Sequence, residues 1–243
     1  MKKVFLFVAL FATAFCAKAQ VNVNLQEQYD LNREHLTTTI ELFAQDNWGS
    51  TFLFTDIYHK FDQPNAEGYY TEIARGLNFW KNTKLGDLSA HVEWNGGQFP
   101  VNNAWLFGAE YLLHNDDYSN TFTFELMYKW IAGQDKYIPL QFTFVWGMKD
   151  IFGVNGLVFS GFVDVWGEKI TWTDDDGTTS DTDVVIISEP QVWYNIGQFF
   201  NCENLFLGGE VELAYNFAGA WRKSLYDNKG FNVSPAFGIK WNF

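Results

Sequence analysis

The last thirteen residues of the chain alternate almost without fault. Phe231, Val233, Pro235, Phe237, Ile239, Trp241 and Phe243 share one parity, and Asn232, Ser234, Ala236, Gly238, Lys240 and Asn242 the other. Successive side chains of a strand point to opposite faces, so this segment is a ribbon with one aromatic face and one small or polar face. The same period recurs upstream. From Thr121 to Trp130, Phe122, Phe124, Leu126, Tyr128 and Trp130 oppose Thr121, Thr123, Glu125, Met127 and Lys129. Leu88, Ala90, Val92 and Trp94 oppose Ser89, His91, Glu93 and Asn95, and Leu140, Phe142, Phe144 and Trp146 oppose Gln141, Thr143, Val145 and Gly147. Two folds accommodate such ribbons: a soluble β-protein with an apolar core, or a membrane barrel whose apolar face meets lipid.

Strands are expected near 21–31, 37–46, 50–59, 69–80, 87–95, 103–113, 120–131, 138–148, 156–167, 184–196, 205–216 and 230–243. Each has the roughly nine to eleven residues that a tilted strand needs to cross a bilayer. Twelve is an even number, as a single-chain bacterial barrel with both termini on the periplasmic side requires. Connectors alternate in length. Residues 46–49, 81–86, 114–119, 149–155 and 197–204 are short, whereas 60–68, the acidic 168–183 and 217–229 are long and fall on the opposite side. The expected fold class is therefore all-β: a membrane-spanning antiparallel up-and-down barrel of about twelve strands, forming one domain over residues 20–243.

The first nineteen residues carry a different signal. Lys2 and Lys3 precede an apolar stretch from Val4 to Ala17, and Ala17-Lys18-Ala19 forms a small-residue cleavage site, the pattern of an export peptide. Cys16 raises the alternative of a lipoprotein, which the bulky Phe15 before it disfavours. Cleavage would leave Cys202 as the one cysteine, so no intrachain disulfide could form. It would also remove three lysines and take the net charge from −13 to −16, which argues against nucleic acid or anionic headgroups as partners. Aromatics make up 19% of the chain, yet after the leader no run of eighteen apolar residues exists to make a spanning helix. A barrel explains both, because only alternate residues face lipid.

Trp48, Trp80, Trp94, Trp105, Trp130 and Trp241 fall near expected strand ends, where amphipathic rings sit at membrane interfaces. Glu72 and Arg75 are three apart, so a regular strand puts them on opposite faces. A bulge between them, or Glu72 above the membrane edge, would avoid a charge facing lipid. The tract Asp174 to Asp183 has a calcium-loop flavour, but alignment on Gly177 places Trp172 at the first ligand position, so a solvated acidic loop is the better reading.

Several stretches then act together as a pattern. They are Thr37-Thr38-Thr39-Ile40-Glu41-Leu42-Phe43, Asn47-Trp48-Gly49-Ser50-Thr51-Phe52 and Glu72-Ile73-Ala74-Arg75-Gly76-Leu77-Asn78-Phe79-Trp80. With them come His91-Val92-Glu93-Trp94-Asn95-Gly96-Gly97, Asn102-Asn103-Ala104-Trp105-Leu106 and Ser188-Glu189-Pro190-Gln191-Val192-Trp193. This resembles an uncharacterised family of Gram-negative outer-membrane proteins grouped with the Tsx-like nucleoside-specific channels. The terminal Gly-x-x-Trp-x-Phe is similar to the closing strand and assembly signal of bacterial outer-membrane barrels. The resemblance implies a monomeric twelve-stranded barrel in the cell outer membrane, with the bilayer and the outer-membrane assembly machinery as partners. It also implies a narrow pore, selective for nucleosides in some relatives. No nucleoside-binding residue transfers position by position.

In such a barrel the polar faces look into the lumen. Alternation places Glu41, Asp56, Glu93, Glu110, Glu125, Asp164, Glu210 and Glu212 there, with Lys129, Lys240 and Arg75. Phe52, Phe54, Tyr58, Phe162, Trp166 and Trp193 are the inward aromatics on which a base could stack. Acids outnumber bases, which favours cations or neutral solutes over anions. The same charges could equally form structural ion networks across the wall. His91-Val92-Glu93-Trp94-Asn95-Gly96 resembles the His-x-Ser-Asn-Gly stretch of outer-membrane phospholipase, but Trp94 stands where the nucleophile would be. His35, His59, His91 and His114 lack metal-ligand spacing. The expectation is a passive channel for small polar solutes, without enzymatic activity, cofactor or metal, the alternative being a closed barrel with a structural or surface role.

Overall fold

The structure, a computed structural model, describes residues 20–60, 65–98, 101–173, 176–217 and 230–243. The expected export segment, residues 1–19, lies outside them. The strands are β1 (Gln20–Asp30), β2 (His35–Asp46), β3 (Gly49–Lys60), β4 (Ala66–Leu77), β5 (Leu88–Gly97), β6 (Ala104–His114) and β7 (Asn120–Ile131). They continue with β8 (Leu140–Lys149), β9 (Leu157–Thr173), β10 (Thr179–Ser188), β11 (Gln191–Asn195), β12 (Leu205–Tyr215) and β13 (Phe231–Asn242). From β1 to β10 each strand pairs antiparallel with its neighbours in sequence, β12 pairs with β13, and β13 pairs with β1, which closes the sheet. The segments β10 and β11 both lie between β9 and β12, so together they form one stave. The wall is a closed barrel of twelve staves.

Closure at β1 and β13 shows how the terminal pattern works. Asn24 to Asp30 pair with Asn242 to Ala236, and the ladder stops there. Pro235, which has no amide hydrogen to give, is the next residue, and its carbonyl accepts from the Leu31 amide at 3.0 Å. Phe243 extends the edge through its own amide, which donates to the Val23 carbonyl at 2.9 Å.

Both described termini lie at one rim, here the near rim; the opposite one is the far rim. The β2–β3 connection at the near rim is tight. In the β2–β3 turn, the Asp46 Oδ1 accepts from the Trp48 and Gly49 amides at 2.7 and 3.1 Å. Gly49 has φ +142°, and a Cβ there would sit 2.1 Å from the Gly76 carbonyl oxygen, so no larger residue fits.

The outward face is apolar and aromatic. Trp94 pairs with Trp105 and Trp105 with Trp130, making three adjacent outward tryptophans toward the far rim. Trp48, Trp80 and Trp241 lie toward the near rim. The polar outward groups on β1 to β4 are matched to one another. Thr38 Oγ1 donates to Glu27 at 2.7 Å and contacts His59 Nε2 at 3.1 Å, and Thr55 meets Thr71 at 3.1 Å.

Three features depart from expectation. The acidic connector 168–183 is largely not a loop, because the β9–β10 ladder runs on to the pair Thr173–Thr179, with a register slip between Thr182 and Val184. The stave read as 184–196 breaks at Glu189-Pro190, where proline cannot donate to the ladder. Opposite that break Gly161 adopts φ +151°, and a Cβ there would lie 2.4 Å from the Glu189 carbonyl oxygen. Finally, β4 runs 66–77 rather than 69–80, and its register slips at Glu67, not between Glu72 and Arg75.

Candidate functional site

Parity decides which side chains reach the lumen. On β4, Tyr70 and Glu72 point inward, and Tyr70 donates to Glu72 Oε1 at 2.5 Å. Arg75 therefore points outward, which corrects its expected place in the lumen. The reason is local: Asp46 and Thr51 share the outward face beside it. Arg75 Nη2 reaches both Asp46 carboxylate oxygens at 2.8 and 3.0 Å, and Nη1 reaches Thr51 at 2.7 Å. An outward cation is thus neutralised at the near rim.

The far half of the lumen holds a chamber. Phe54, Asp56 and Tyr58 line it from β3, Tyr70 and Glu72 from β4, and Phe162, Asp164, Trp166 and Glu168 from β9. Lys129 from β7, Glu189 from the break in the tenth stave, Glu212 from β12 and Arg33 from the β1–β2 turn complete the charged lining. The chamber and its mouth enclose about 900 Å³, part of it open solvent.

Two cations are held on its walls. Arg33 Nε donates to Asp30 at 2.7 Å and Nη2 to Glu212 at 2.9 Å, so the guanidinium spans from the turn to β12. Lys129 Nζ donates to Gln141 at 2.7 Å, Gln141 to Thr143 at 3.0 Å and Thr143 to Asp164 at 2.5 Å. That relay crosses β7, β8 and β9. The ammonium also lies 4.1 Å above the Trp166 ring, whose Nε1 donates to Glu168 at 2.8 Å. Ala104, Leu106, Met127, Ile131, Val185 and Ile187 pack with Trp166 as an apolar cluster along that side.

Of the residues expected to bind solute, Phe54, Asp56, Asp164, Trp166 and Glu212 line the chamber. Phe52 lies next to it, its ring 5.8 Å from Phe54. Apart from Arg75, the others face inward but lie away from the chamber. Glu93 and Glu110 flank His91: Glu110 Oε2 is 2.7 Å from Nδ1 and Glu93 Oε2 is 3.2 Å from Nε2. Glu125 stands beside that group. Glu210 accepts from Gln191 at 2.9 Å, and Trp193 donates to the same Gln191 at 2.9 Å. Trp193 is 0% exposed, with Lys240 Nζ 4.5 Å above its ring, so it closes the wall and offers no stacking face. Glu41 accepts from Asn24 at 2.6 Å.

Arg33, Tyr70, Glu168 and Glu189 also line the chamber, and alternation alone does not single them out. Arg33 sits in a turn and Glu189 at a strand break, where no period speaks. Glu168 lies in β9, where the acidic composition predicts a connector. Tyr70 was legible, since it shares parity with Glu72.

A family profile described as "Domain of unknown function (DUF5020)" matches residues 20–243. The chain belongs to the DUF5020 family. A search of curated proteins returned no match. Among solved structures, the barrel is similar to the NanC porin in its rhombohedral crystal form, with TM-score 0.55 and 7% identity over 90% of this chain and 98% of that one. It is also similar to the KdgM porin in complex with disordered oligogalacturonate, with TM-score 0.47, 9% identity and coverage of 91% and 99%. A BenF-like porin from Pseudomonas fluorescens Pf-5 gives TM-score 0.43, 9% identity and coverage of 93% and 98%. The NanC likeness, at that identity, is one of fold. Neither the family description nor these structures names a Tsx-like channel.

Proposed function

We propose that the DUF5020 barrel is an outer-membrane channel for passive diffusion of small polar solutes, cationic or neutral. The observation that supports this best is the chamber, where Asp56, Glu72, Asp164, Glu168, Glu189 and Glu212 face two cations, Arg33 and Lys129. Such a lining repels anions and attracts cations, while neutral solutes pass according to size and hydrogen bonding. The aromatic faces of Phe54, Tyr58, Tyr70 and Phe162 add a surface on which a flat ring could rest. Nucleosides join a stackable base to hydroxyls that carboxylates can accept from, so they are the first solute class to try, on the resemblance to Tsx-like channels. In this reading residues 1–19 direct export and are removed, and the mature barrel works as a monomer.

Proteoliposome swelling tests the proposal. Vesicles carrying folded barrel should swell in an iso-osmotic small neutral solute, and faster in a nucleoside than in a sugar of similar size. Equal rates for both would remove the nucleoside reading alone. No swelling in any small solute would favour the second reading, a closed barrel, for which the fully buried Trp193 and Leu106 speak.

A further inference from the structure

We infer that the wall of β5, β6 and β7 carries a divalent transition-metal site made by His91, Glu110 and Glu125. Each offers one ligand atom, and the three atoms lie within 4.8 Å of one another. A tetrahedral zinc site with bonds of about 2.0–2.2 Å separates its ligand atoms by roughly 3.4 Å, so modest side-chain rotation brings these three into range. One imidazole nitrogen and two carboxylate oxygens are a donor set of the kind that takes zinc with a water in the fourth place.

Glu125 points to a ligand independently of that proximity. The residue is only 8% exposed, and among the described residues no donor meets its carboxylate, whereas Glu110 and Glu93 both meet His91. A buried carboxylate without a donor is costly, and a metal ion supplies the missing partner.

The surroundings fit as well. His91 would ligate through Nδ1, the nitrogen facing Glu110 at 2.7 Å. Its Nε2 then keeps a proton for Glu93 at 3.2 Å, and Asn95 holds Glu93 by donating to Oε1 at 3.0 Å. A carboxylate behind the ligating imidazole fixes its tautomer and orientation. Gly76 leaves the space that Glu110 occupies, for a Cβ there would lie 2.1 Å from Glu110 Oε1. Glu110 is also the way in, with its side chain 15% exposed where that of His91 is 3%. A bound ion would cancel two of the lumen's negative charges, but binding itself does not depend on the barrel conducting.

Calorimetric titration of ZnCl₂ into the detergent-folded full barrel, in buffer containing excess MgCl₂, tests this. The wild type should bind one equivalent of zinc. Glu125→Gln removes the ligand with no hydrogen bond to lose and should weaken binding tenfold or more. His91→Gln should do the same. Glu93→Gln, acting through the imidazole, should weaken it about tenfold. A Co²⁺-loaded wild type should show the intense visible bands of a four-coordinate ion, absent in Glu125→Gln. Absence of stoichiometric binding by the wild type would overturn the site, as would unchanged binding in a Glu125→Gln barrel that remains heat-modifiable on gels.

Discussion

Replacing Trp193 by alanine should destabilise the barrel more than any other single truncation in its wall. Trp193 is 0% exposed and lies against Gly208, where an ideal Cβ would be 2.8 Å from its ring. Gly208 pairs with Gly238, so neither neighbour has a side chain that could fall into the space left behind. Trp→Ala changes in packed interiors cost about 3–5 kcal/mol, and sites that cannot collapse lie at the upper end. The loss includes Lys240, whose ammonium lies 4.5 Å from the ring centroid, a contact worth up to about 2 kcal/mol when desolvated. It also includes the hydrogen bond to Gln191, about 1 kcal/mol. These parts overlap, so a total of about 4–5 kcal/mol is expected. Reversible urea unfolding in lipid vesicles, followed by fluorescence of the remaining tryptophans, measures it. Lys240→Met should lose only about 1–2 kcal/mol, because the ring stays in place. A Trp193→Ala loss below about 1 kcal/mol would refute the argument that this ring fills the wall.

Three more outcomes follow from particular contacts. Gly108→Val should cost about 1–3 kcal/mol by overpacking, since its Cβ would run into the Leu126 carbonyl oxygen and lie 2.7 Å from Met127 Cα, backbone atoms that cannot swing aside; an unchanged unfolding midpoint would contradict the close approach. Lys129→Met removes one of the two cations that line the chamber among the described residues. A unit charge about 8 Å from the ion path in water-like dielectric acts with roughly 0.5 kcal/mol on each ion, so the cation-to-anion permeability ratio should rise about fivefold, and an unchanged ratio would count against a charge-selective chamber. Deleting Phe243 removes one edge hydrogen bond while the pairs from Asn242 onward remain, so the barrel should still fold in detergent but reach the outer membrane in smaller amount; normal levels there would argue against an assembly role.

The barrel was legible because its signal is a period, and a period survives any error in strand ends. Alternation placed Glu93, Glu125, Asp164 and Glu212 inward, and the structure has them there. What failed lay where the period is silent. Arg75 was assigned by charge, on the premise that a guanidinium avoids the outer face, yet Asp46 at the end of a turn supplies its counter-charge there. Arg33 belongs to a four-residue turn and enters the lumen only because Asp30 folds it back. The acidic tract near Asp181 looked like a loop by composition, but Lys169 meets Asp181 at 2.8 Å across a hairpin that extends the wall. Trp193 had the right parity and the wrong role, since burial against Gly208 depends on a neighbour distant in sequence.

A conducting lumen whose acids choose the ion leaves a direct electrical signature. Folded barrel added to a planar bilayer under a KCl gradient tests both at once. Discrete current steps are expected, with a reversal potential on the cation-selective side. Folded protein that gives no steps, or steps that reverse on the anion-selective side, would contradict a conducting, cation-selective lumen.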